Sequence, residues 1–149
     1  MTNPNASLPL AVTMGDPAGI GPEVCLQLLA DADIARICAP VIFGDAAVLR
    51  ACAEKIGVSF RAVVIAGSEW AREFPRLAQP SVLDLGVISL GEFQPGKINA
   101  ATGRTAFTCV DRAIDAALAG EVAAVATAPL NKEAMHLAGF HFPGHTEIF

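Results

Sequence analysis

An open, largely parallel α/β sheet with helices on both faces is the fold class this sequence predicts, on three observations. Apolar runs of strand length alternate with helical stretches, without a series of closely spaced hairpin signals. Val122–Thr127 is almost wholly apolar, the pattern of a central parallel strand covered on both faces. The 149 residues are 53 % hydrophobic and 17 % charged, which suits about one domain and is too apolar for a disordered chain.

Each element has a local reason. Met1–Ser7 are polar and expected to fray. Leu8–Thr13 reads as the first strand, broken by the turn Gly15–Gly21. Pro22 suits a first helical position, where its missing N–H costs nothing, and the Glu23 carboxylate favours the helix dipole. That helix runs to Leu29. Val41–Phe43 is a second strand, and Asp45 is placed to cap a helix to about Lys55, stopped by Gly57. Ser59–Ile65 reads as a third strand. From Gly67 to Pro80 the mixture of Trp, Pro and charge predicts an irregular excursion. Val82–Leu85 and Val87–Leu90 read as brief strands on either side of Gly86.

The longest helix is expected from about Ala100 to Ala119, ended by Gly120. Phe107, Val110, Ile114, Ala117 and Leu118 fall on one stripe, with Asp111, Arg112 and Asp115 outside it. Asn131 caps a short helix closed by Gly139. Pro143–Glu147 reads as a loop turning into a helix, with Thr146 as its cap. A chain that stops at Phe149, less than a turn further on, is expected to be truncated at its C-terminal end.

Composition excludes several classes of function. No apolar run approaches the ~20 residues that cross a bilayer. No Lys or Arg precedes Arg36, so a basic secretory leader is not expected. Ten cations against 15 anions give a net charge of −5, and the cations are scattered, which argues against a nucleic-acid surface. Cys25, Cys38, Cys52 and Cys109 form no CxxC pair, and each reads as a buried free thiol in a reducing compartment.

Four constellations can carry chemistry. The first, Gly15-Asp-Pro-Ala-Gly-Ile-Gly-Pro-Glu23, lies between a strand and a helix, where open α/β sheets bind ligands. Asp16, Gly19 and Gly21 are the candidate cofactor contacts. The loop is neither a Walker A motif nor a GxGxxG fingerprint. Glu23 would repel a phosphate at the helix start, so a neutral sugar, an amide or a tight turn alone fits better. The second, Thr127-Ala-Pro-Leu-Asn-Lys132, offers a mobile cation in Lys132, the candidate catalytic residue, against a solvated surface lysine as the bland alternative. The third is His136, His141 and His145. His141 and His145 have metal-ligand spacing, but Pro143 and Gly144 spoil the intervening helix. His145 and Thr146 at a helix start are better binders of an anion or hydroxyl. The fourth, Gly96–Arg104, brings Lys97 and Arg104 to the start of the long helix, where surface charges are common.

Taken in order, these segments resemble the amino-terminal part of the 4-hydroxythreonine-4-phosphate dehydrogenase family. The matching residues are Thr13-Met-Gly-Asp-Pro-Ala-Gly-Ile-Gly-Pro-Glu23, Gly96-Lys97 with Gly103-Arg104, Thr127-Ala-Pro-Leu-Asn-Lys132 and Phe142-Pro-Gly-His-Thr-Glu147. The glycine loop is also similar to the shorter turn of isopropylmalate and isocitrate dehydrogenases, which share the family's fold. The resemblance implies a cytoplasmic, homodimeric, NAD- or NADP-dependent oxidoreductase of pyridoxal phosphate biosynthesis. Its expected reaction oxidises the hydroxyl of 4-phosphohydroxy-L-threonine, with loss of carbon dioxide from the resulting β-keto acid. A divalent ion (Zn, Mg or Co) is implied, with ligands outside this chain. The family's His-Thr substrate pair carries over to His145 and Thr146, and Lys132 would line the same cleft. Residues 1–149 would then be the amino-terminal portion of a longer enzyme. Related dehydrogenases of threonate or erythronate 4-phosphate, or of ring diols, remain open. So does a non-catalytic α/β module that binds a small anion or assembles with another protein.

Overall fold

The computed structural model describes residues 9–149; the expectations for Met1–Ser7 and for Leu8 lie outside the described residues. Five strands form one all-parallel sheet: β1 (Pro9–Thr13), β2 (Ala39–Gly44), β3 (Val63–Ala66), β4 (Ser81–Asp84) and β5 (Ala124–Thr127). Their spatial order is β3-β4-β2-β1-β5. In the register, Thr13 lies opposite Phe43 on one side and Thr127 on the other.

Strand alternation divides the core between two helical layers. Val12, Ile42 and Val82 pack against Cys25, Leu26 and Leu29 of α1 (Gly21–Ala30) and Val48 and Leu49 of α3 (Ala46–Ile56). Ala11, Val41, Phe43 and Leu83 pack against Trp70 of α4 (Trp70–Glu73) and Ala113 and Ala116 of α5 (Ala100–Leu118). The helices therefore cover both faces, as expected. Pro22 stands in the first turn of α1, Asp45 caps α3 through Ala47 and Val48, and Gly57 closes α3 at φ 74°.

Several expectations need correction. A further helix, α2 (Ala32–Ile37), follows α1, with the Asp31 carboxylate accepting from Asp33 N and Ile34 N. Strand β2 is longer than Val41–Phe43, and β3 begins only at Val63. Gly67–Arg76 is a run of short helical turns, organised by Trp70. The Trp70 ring meets Phe43 edge-on at 5.3 Å and its N–H donates to Glu121 Oε2 at 2.6 Å. Val87–Leu90 forms no strand. Gly86 turns the chain away at φ 57°, and Ile88 is buried with its N–H on Asp45 Oδ2 at 3.4 Å.

The face of α5 is also rotated from the expected stripe. Thr102, Gly103, Thr105, Ala106, Cys109, Val110, Ala113 and Ala116 are buried, whereas Leu118 is 84 % exposed. Small side chains let the helix backbone approach the sheet and α6 (Lys132–Leu137) closely, and the larger Phe107 and Ile114 lie to the side. Strand β5 is not central. It borders β1 alone, and Ala124, Ala126 and Thr127 are exposed. Finally, α7 (His145–Ile148) is preceded by Gly144 without a side-chain cap, and Thr146 lies inside it, exposed.

The candidate active site

The strand order reverses at β1, whose neighbours are β2 and β5. The crevice outside the carboxyl ends of strands at such a reversal is where open α/β sheets place ligands. Both leading sequence constellations leave the sheet at this point, one after β1 and one after β5. They are bonded to each other. Ala128 N donates to Thr13 O at 3.0 Å and Asp16 N donates to Pro129 O at 3.1 Å.

The glycines of the first loop divide by cause. A Cβ on Gly15, whose φ is 73°, would run into Pro129 O, and one on Gly21 would run into Met14 O. The fold itself demands glycine there. Gly19 is exposed, and its Cβ would meet nothing closer than Asp16 O at 3.4 Å, so ordinary packing does not require it. Asp16 is 4 % exposed and occupied internally, its Oδ1 accepting from Ala18 N at 2.8 Å. Burial holds its carboxyl above the ordinary 3.8, opposed by the Ala18 N–H and the Thr102 hydroxyl. A third segment joins the loop, with Gly96 N donating to Ala18 O at 2.8 Å.

Helix α5 carries the remaining candidates. Asn99 caps it through Thr102 N at 2.9 Å, and Thr102, whose hydroxyl donates to Asn99 O at 3.0 Å, lies beside Asp16. Gly103 packs against the Ala134 backbone so closely that any side chain would collide, which seats α6. Asn131 caps α6 through Ala134 N at 3.0 Å, and Lys132 begins it, exposed and without an ion pair among the described residues. One turn along the same face of α5, Phe107 stacks on Phe140 at 3.9 Å and on Phe142 at 5.8 Å. These rings anchor the segment that leads to His145, whose Nε2 is shielded from solvent without a hydrogen-bond partner.

The structure thus joins the Asp16 loop to the Lys132 loop and hangs the His145 segment on the next turn of α5. No hydrogen bond or ion pair links His145 directly to either loop among the described residues. Sequence reasoning missed Thr102 and Gly103 as connectors; the small-residue run Ala100-Ala-Thr-Gly103 was their signal. Lys97 and Arg104 are both exposed and form no ion pair among the described residues.

Cofactor fit is limited. The cleft beside Pro17 and Gly19 holds about 250 Å³, below the ~300–1,000 Å³ of drug-sized ligand pockets and too small for a dinucleotide. No three His, Cys, Asp or Glu side chains converge on a metal position among the described residues. His136 and His141 rings lie 5.1 Å apart, and His141 stands outside the helix that His145 opens. All four cysteines are free, Cys25 and Cys109 buried and Cys38 and Cys52 only half-buried. No helix among the described residues is long and apolar enough to cross a membrane.

Comparison with known proteins agrees with this architecture. The chain is 41 % identical over 139 residues to D-threonate 4-phosphate dehydrogenase of Salmonella typhimurium, covering 93 % of this chain and 42 % of that protein. It is 36 % identical over 139 residues to 4-hydroxythreonine-4-phosphate dehydrogenase of Trichlorobacter lovleyi, covering 93 % and 41 %. A crystal structure of a 4-hydroxythreonine-4-phosphate dehydrogenase from Burkholderia phymatum superposes with a TM-score of 0.83 at 33 % identity, covering 97 % of this chain and 43 % of that one. The chain spans about two fifths of the length of the curated relatives it matches. Residues 36–149 match the profile of the pyridoxal phosphate biosynthetic protein PdxA, and the chain belongs to that family.

Proposed function

We propose that residues 1–149 are the amino-terminal portion of a longer NAD- or NADP-dependent dehydrogenase that oxidises a phosphorylated four-carbon hydroxy acid. The observation that carries this reading is the bonding of the two motif loops, Met14–Ile20 and Ala128–Leu130, at the carboxyl ends of adjacent strands β1 and β5. The leading substrate is 4-phosphohydroxy-L-threonine, as the name of the Trichlorobacter relative indicates for that protein. D-threonate 4-phosphate is the second reading, favoured by the identity to the Salmonella relative.

In this proposal the chain's residues bind and orient substrate. Lys132 is the proposed catalytic residue, its ammonium meeting the substrate's anionic end beside the reacting carbon. His145, with an unsatisfied ring nitrogen, and exposed Thr146 are the proposed substrate contacts. Gly19 is the loop position at which a cofactor can approach the backbone, while Asp16 and Gly21 hold the loop in shape. The nicotinamide pocket and a divalent metal site draw on residues outside this chain. A cytoplasmic homodimer is part of the same proposal.

The test is nucleotide reduction by the full-length protein that carries this chain, given each substrate with a divalent cation. His145→Ala is expected to raise KM about tenfold or more, and Lys132→Met to lower kcat/KM by a similar factor, each losing a charge-assisted contact. No reduction with either substrate overturns the proposal, and unchanged kinetics in a variant removes that residue from the site.

A further inference from the structure

A cleft of about 250 Å³ opens between α1, α3 and the loop that leads to α5. Its walls include Pro22, Val48 and Phe93, yet two opposite charges also line it, Glu23 from the first turn of α1 and Lys55 from the last turn of α3. The two do not pair with each other. Glu23 Oε2 is shielded from solvent and has no hydrogen-bond partner, an arrangement that costs free energy until a donor arrives. Cys52, half-buried on the same wall, has its thiol's pKa raised, first by burial and then by Glu23, with Lys55 opposing.

We infer that this cleft binds a small free α-amino acid with an apolar side chain. Its ammonium meets the Glu23 carboxylate, its carboxylate meets Lys55, and its hydrocarbon lies against Pro22 and Phe93. Charge complementarity selects this class. A simple amine leaves Lys55 unmatched, a simple carboxylic acid leaves Glu23 unmatched, and a nucleotide exceeds the volume. The cleft shares Gly19 with the proposed cofactor loop, but the inference uses neither Lys132 nor His145, so its test does not depend on dehydrogenase activity.

Cys52 supplies the readout. Burial pushes the Cys25 and Cys109 thiols up to about 12, which leaves the half-buried Cys38 and Cys52 as the accessible thiols of this chain. In the full-length protein carrying Cys38→Ala, N-ethylmaleimide labelling is followed at the Cys52 peptide by mass spectrometry. L-leucine at ten times its dissociation constant is expected to slow that labelling about tenfold. Leucinamide and isocaproate, each lacking one charge, should need concentrations at least about tenfold higher. Glu23→Gln should abolish protection by leucine, and Lys55→Met serves the same purpose if the first variant does not fold. Equal protection by all three compounds, protection that survives both substitutions, or no protection by leucine overturns the inference. If Cys52 resists the reagent, calorimetric titration with L-leucine replaces the labelling, and no binding there overturns the inference.

Discussion

Asp16 illustrates how a loop residue can be legible as important while its task is not. The motif marks it, but only packing shows that its carboxylate accepts from Ala18 N beside Thr102. Asp45 and Asp84, beside the ends of β2 and β4, do the same kind of work: Asp84 Oδ1 accepts from Ala46 N at 3.0 Å and from Gly86 N at 3.3 Å. The raised pKa of Asp16 has a testable sign. Between 3.8 and its folded value the native state holds more protons than the unfolded one, so stability falls as pH rises through that window. Asp16→Asn keeps an acceptor for Ala18 N and is expected to flatten that decline in urea unfolding of the full-length protein. A profile as steep as the parent's would show that Asp16 is not its source. Local residues of other kinds were read correctly from sequence. Asp45 and Asn131 cap their helices, and Gly57, Gly120 and Gly139 leave theirs at positive φ, because each acts on backbone within a turn of itself.

At the scale of elements, helix positions were legible and helix faces were not. The span of α5 agrees with the expectation within a residue, yet the largest apolar side chains mark its flank. Close approach of two backbones rewards small residues, and a hydrophobicity pattern weights them least. Gly103 is where this matters most. Gly103→Ala is expected to push α6 off α5 and cost about 1–3 kcal/mol by overpacking, read as a lower urea midpoint of the full-length protein. Because α6 begins with Lys132, the same variant should lower activity more than stability alone explains. A fully stable, fully active Gly103→Ala would mean that α6 is seated by other contacts. Strand β5 shows the opposite confusion: its apolar residues read as central, but among the described residues nothing pairs with its far edge.

For the whole molecule, the exposed β5 edge and apolar groups such as Leu118 at 84 % and Ile20 at 62 % predict poor behaviour of the isolated 149-residue chain. Sedimentation velocity should show concentration-dependent self-association. A clean monomer with a sharp cooperative melt would contradict it. The sequence by itself determined the parallel α/β class, most of the helix ends and the two motif loops, because these follow from patterns and turn chemistry within short stretches of chain. Tertiary structure alone decided that β1 is the point of reversal, that the Asp16 and Pro129 loops are bonded there, and which face of α5 is buried. Those outcomes depend on backbones meeting across long separations in sequence, and composition at one place carries no record of what lies opposite.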